Sequence, residues 1–153
     1  MPLKKQTGFT LVEVLIVIGV IMTLLLVGVP LTTAWIDSSQ VNQASATLKS
    51  AGAQAKAAAL RNTQNKTTGT ATASLCFNAN NRTLSVVLGT CSSTTVLRNY
   101  ALAKGVNIKV GNNNFSCITF DSVGLVITQP NCVTDTVNFK VKKNNEENSV
   151  DIS

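Results

Sequence analysis

From Phe9 to Leu31 the chain is apolar at almost every position, and no other stretch narrows its possible folds so much. About 20 helical residues rising about 1.5 Å each match a hydrocarbon layer about 30 Å thick, so the run predicts a helix able to cross a membrane. One residue breaks the pattern. Glu13 puts a carboxylate near the start of the segment, where lipid penalises an unpaired ion by roughly 3 kcal/mol or more, so it needs a partner or a function. Lys4 and Lys5 precede the run and, by the positive-inside tendency, stay cytoplasmic and direct everything after Leu31 to the outer side. A secretory signal would place small residues of the A-x-A type after its apolar core. Val29, Pro30 and Leu31 offer none, so the anchor is expected to remain attached.

Beyond the anchor the chain is of one-domain size, rich in Asn, Thr, Ser and Ala. The formal charge of +6 falls to +4 when Lys4 and Lys5 are subtracted, an ordinary value for a solvated surface. Four cysteines, Cys76, Cys91, Cys117 and Cys132, all follow the apolar run, where an oxidising compartment is expected. Four cysteines allow three pairings. The two equal spacings of fifteen suggest the local solution, Cys76 with Cys91 and Cys117 with Cys132, each worth roughly 3 kcal/mol through the unfolded state. A metal site is not expected, because the chain has no C-x-x-C pair and no histidine. No cofactor is expected either.

Past Pro30 the rhythm stays helical. Val41, Ala44, Leu48, Ala51, Ala55, Ala58 and Asn62 recur at steps of three and four, which predicts one long helix over roughly 10–62 with Pro30 as its bend. The period then changes to two. Ala71, Ala73, Leu75 and Phe77 predict a half-buried strand, and Asn80-Asn81 a turn into a second strand over 83–88. Further strands are expected over 96–100, 106–110, 115–120 and 125–128, with Gly111 to Asn114 as a turn. Val137, Phe139 and Val141 predict the inner face of a last strand, and 144–148 a polar loop or frayed tail, with Val150 and Ile152 able to add an edge. The fold class is α+β: a long N-terminal helix packed against antiparallel sheet.

Lys4-Lys5 followed by Gly8-Phe9-Thr10-Leu11-Val12-Glu13 resembles the processing site of type IV pilins and the pseudopilins of type II secretion. The resemblance implies a pilin-like fold whose first helical half is membrane-embedded. It divides the chain into a prepilin leader (1–8), a transmembrane and filament-core helix (9–31), and a periplasmic or extracellular head (32–153). It implies cleavage by a prepilin peptidase between Gly8 and Phe9, N-methylation of Phe9, and an assembly role for Glu13, whose carboxylate would neutralise the terminal amine of a neighbouring subunit. Pro30 stands where the family commonly has proline, whereas Met22 stands where major pilins often have glycine. Ala51 to Asn62 and the stretch Cys117 to Gly124 are similar to the FimT and FimU group of minor pilins and to the type II secretion pseudopilin H (GspH).

Catalysis is not expected: there is no histidine, nucleophile elbow or phosphate-cradling loop, and Asp121 and Asp135 read as turn caps. The resemblance implies a minor pilin that primes pilus assembly at or near the filament tip. Its partners would be other minor pilins, the major pilin, the prepilin peptidase, the inner-membrane assembly platform and, beforehand, inner-membrane lipid. Its place would be the inner membrane with the head in the periplasm, then a pilus or pseudopilus filament, in the former case at the cell surface. The alternatives are a type II secretion pseudopilin and a DNA-binding competence pilus subunit. Lys140, Lys142 and Lys143 are the best cluster for weak nucleic-acid binding, with Lys104 and Lys109 joining only if the fold gathers them.

Overall fold

The computed structural model describes residues 8–134 and 138–152, apart from the side chains at 27 and 29–31. Lys4, Lys5, Asp135 and Val137 therefore lie outside the described residues. Helix α1 (Leu11–Arg61) is followed by nine strands: β1 (Ala73–Asn78), β2 (Thr83–Leu88), β3 (Val96–Ala101), β4 (Asn107–Val110), β5 (Asn113–Asn114), β6 (Cys117–Phe120), β7 (Val126–Ile127), β8 (Phe139–Lys143) and β9 (Glu146–Val150). The chain forms two compact units, one ending at Ile36 and one running from Asp37 to the C-terminus.

In the first unit the helix is apolar all round. Every side chain from Leu11 to Leu26 is exposed, Glu13 and Thr23 among them, so this surface has no covering layer within its own unit. No helix among the described residues is long and apolar enough to cross a membrane. The helix runs through residue 30, so Pro30 does not end it, and nearby the Thr32 hydroxyl donates to the Gly28 carbonyl at 2.9 Å.

In the second unit α1 buries Val41, Ala44, Leu48, Ala51, Ala55 and Ala59. The expected stripe is followed as far as Ala55 and then turns to Ala59, leaving Ala58 only partly covered. Asn62, at φ 42°, stops the helix. Its amide donates to the Ala59 carbonyl, and its side chain accepts from the Lys66 amide at 2.7 Å while donating to the Lys66 carbonyl at 2.8 Å. Asparagine tolerates this left-handed conformation better than most residues.

The strands form two antiparallel sheets, β3-β2-β1-β6-β7 and β5-β4-β8-β9. Because β1 is central, its polar face is covered too, which corrects the half-buried reading. Ser74 is fully buried and its hydroxyl pairs with that of Thr119 on β6 at 2.9 Å. An aromatic chain joins the sheets: Phe77 of β1 stacks towards Phe115, which meets Phe139 of β8 edge-on with centroids 5.3 Å apart.

Two loop expectations are overturned. Asn113 and Asn114 belong to β5, paired with Val110 and Lys109, so only Gly111 and Asn112 make the turn. Residues 146–148 are not a frayed tail but most of β9, in register with β8 through Lys143 opposite Glu146 and Lys142 opposite Glu147. Opposite charges across a strand pair stabilise it, a signal that apolar alternation alone does not carry. Val150 and Ile152 are buried as the final apolar anchors.

Candidate functional site

The N-terminal site is built on the first turn of α1. Thr10 caps the helix: its hydroxyl accepts from the Glu13 amide at 3.3 Å, and its carbonyl accepts from the amides of Glu13 and Val14. The same hydroxyl donates to Glu13 Oε2 at 3.5 Å. This is the Thr-x-x-Glu capping pattern, in which the acidic residue also faces the positive end of the helix dipole. That spacing is written in the sequence, yet the reading by membrane polarity passes over Thr10 because it looks only for a partner to the charge.

Ahead of the cap, Gly8 and Phe9 are non-helical and exposed, Phe9 at 84 %. A Cβ at Gly8 would have nothing within 4 Å, so the linkage between Gly8 and Phe9 stands clear of the described chain. Glu13 meets no cation among the described residues. What the first turn offers is a carboxylate held on a helix start, next to an accessible non-helical linkage.

The three C-terminal lysines divide. Lys143 turns to α1, where it pairs with Asp37 at 2.8 Å and donates to Gln40 Oε1, its stem lying over Gly105. Asn144 adds a 2.7 Å bond to the other Asp37 oxygen. These contacts hold Asp37 below its ordinary value of 3.8, the Lys143 hydrogen bond being the largest cause and that of Asn144 the next, against the opposing effect of burial. Lys140 and Lys142 face outward, and Lys140 pairs with Glu147 at 3.0 Å. That bond lowers Glu147 from 4.5 most strongly, with burial opposing and the charges of Lys140, Lys142 and Lys109 assisting. The fold places Lys109 directly opposite Lys140, a like-charge pairing relieved by Glu147.

Both disulfides are present in the local pairing, Cys76 to Cys91 and Cys117 to Cys132, and no cysteine is free. Each ties a strand of the first sheet to the loop that returns past it. Asp121 is buried at the β6 to β7 turn. Burial alone would raise its pKa, but backbone amides led by Gly69, then Leu125, Val123 and Gly124, outweigh that and hold it below 3.8. Its carboxylate oxygens accept from Gly69 at 3.1 Å, Val123 at 3.1 Å and Leu125 at 2.9 Å. Among the described residues no group of His, Cys, Asp or Glu is placed to hold a metal ion.

Residues 3–29 match the prokaryotic N-terminal methylation motif. The motif is of the type IV prepilin-like kind and supports a place in that superfamily, whose architecture the head shares: a long helix packed on antiparallel sheets. Type IV pilin-like proteins that carry such a motif are structural subunits, processed by a prepilin peptidase and assembled with other pilins. No curated protein and no solved structure matches the chain.

Proposed function

We propose that this chain is a minor type IV pilin, a structural subunit that primes pilus assembly at or near the filament tip. One observation carries the reading: an exposed Gly8 to Phe9 linkage leads into a Thr10-capped, all-round apolar helix within the matched methylation motif. In this reading residues 1–8 are a leader, residues 9–31 the membrane and filament-core helix, and residues 32–153 the outward head. Cleavage frees an amine at Phe9, which is then methylated. The Glu13 carboxylate, four residues on, meets that amine in a neighbouring subunit, where each charge offsets part of the other's desolvation in a helix bundle. Before assembly the same apolar surface rests in inner-membrane lipid, with the head in the periplasm. Pro30 supplies a soft point where the ladder lacks one donor.

Mass spectrometry of membrane-extracted protein is expected to find Phe9 as the methylated first residue; a start at Met1 despite active peptidase refutes the reading. Glu13→Ala is expected to reduce surface pili by about tenfold or more, the effect of an unpaired buried amine. Unchanged piliation and incorporation would remove the assembly role. A pseudopilin uses the same N-terminal physics, so deletion and complementation scored for both piliation and secretion separate the two.

A second reading draws on Lys109, Lys140 and Lys142, which share the outer face of the second sheet against the one carboxylate of Glu147. That face suits weak, salt-sensitive DNA contact, and unchanged DNA retention between low and high salt argues against it.

A further inference from the structure

Strand β3 ends the first sheet, and its side chains from Val96 to Asn99 are exposed on both faces. The other sheet ends are β5 and β7, of two residues each, and β9, which is tied to α1 by Asn148 bonding to Asn42 at 3.0 Å. An open six-residue edge with Val96 and Leu97 half exposed is a ready template for another strand. Beside it lies a cavity of about 440 Å³ whose apolar floor includes Ala58 of α1, Val86 and Leu88 of β2, and Leu97 of β3. Arg61 and Arg98 also line it.

Neither guanidinium is ion-paired with a described carboxylate; the ion pairs among the described residues are Lys140 with Glu147 and Lys143 with Asp37, away from the cavity lining. Arg98 sits 5.6 Å from the ring centre of Tyr100, a contact that leaves its charge uncompensated. The buried Tyr100 hydroxyl, two residues along the same strand face, has no hydrogen-bond partner among the described residues.

We propose that β3 and this cavity together form a docking site for an extended segment of a partner protein that carries an acidic side chain two residues from an apolar one, on the same face of the strand. The segment's backbone pairs with the free edge of β3, its apolar side chain fills the cavity floor, and its carboxylate accepts from Arg61 and Arg98. A second copy of this chain is a poor occupant. Its described acidic groups in extended structure, Glu146 and Glu147, lie in β9 and face lysines of their own hairpin. The site lies within the head and does not depend on the N-terminal reading.

The test uses the full chain in detergent micelles and a panel of labelled heptapeptides alternating threonine with valine, leucine or phenylalanine around a central glutamate, each with a glutamine twin. Fluorescence anisotropy is expected to give saturable binding at least about tenfold tighter for the glutamate member. Arg61→Ala with Arg98→Ala removes that preference, while the double lysine variant retains part of it. Hydrogen exchange with bound peptide slows amides of β3 and leaves those of β9 unchanged. Three results overturn the proposal: no saturable binding by any panel member, equal binding of the twins, or protection away from β3 in folded protein.

Discussion

Asp121 ties the loop at Gly69 to the β6 to β7 turn, and its replacement tests whether a buried carboxylate organises that corner of the head. Its oxygens accept three backbone bonds, from Gly69, Val123 and Leu125. Charge-assisted bonds contribute about 1.5–3 kcal/mol each in isolation, and a stranded buried donor costs about 1–3 kcal/mol. Because the donor residues themselves are exposed, their amides regain water more readily than core groups, which favours the low end. Asp121→Ala is therefore expected to cost about 3 kcal/mol. Asp121→Asn keeps an acceptor for the Val123 and Leu125 amides and sets its amide group against Gly69, so about 1–2 kcal/mol is expected. Urea unfolding of the oxidised full chain in detergent, followed by circular dichroism, measures both. The sign of the pH effect follows from the lowered pKa. The stabilisation is complete above the unfolded value near 3.8 and is lost as pH falls through the lower folded value, so parent and Asp121→Asn converge below about pH 4. An unfolding free energy for Asp121→Ala within about 0.5 kcal/mol of the parent would refute the reasoning.

Three further outcomes are expected. Gly52→Ala would drive its Cβ into the Ile152 side chain and cost about 1–3 kcal/mol, and pairing it with Ile152→Ala should recover part of that loss in the same unfolding assay. Asp37→Ala should release the β8 to β9 turn, seen as faster amide exchange at Lys143 and Asn144; with Asp37 lowered, the parent itself should show that release only as pH falls below about 4. Replacing Cys117 and Cys132 by serine should cost about 3 kcal/mol by urea unfolding, since their loop spans fifteen residues.

The long helix, the change of period after Asn62, most strands and the N-terminal motif are legible in the sequence because each is local: apolar spacing, a cap or a contiguous string of residues states it. The capping role of Thr10 was equally local and needed only the Thr-x-x-Glu spacing. Tertiary structure alone decided what depends on residues far apart. It sent Lys143 to Asp37 and set Lys109 against Lys140, because strand register determines which charges meet. It made β9 of a segment whose polarity reads as loop, since cross-strand partners lie on β8. It also placed Ile152 over Gly52, where the missing side chain lets the C-terminal segment close on the helix. Short-range pattern specifies elements; pairing, charge partners and close approach are set by the path that brings those elements together.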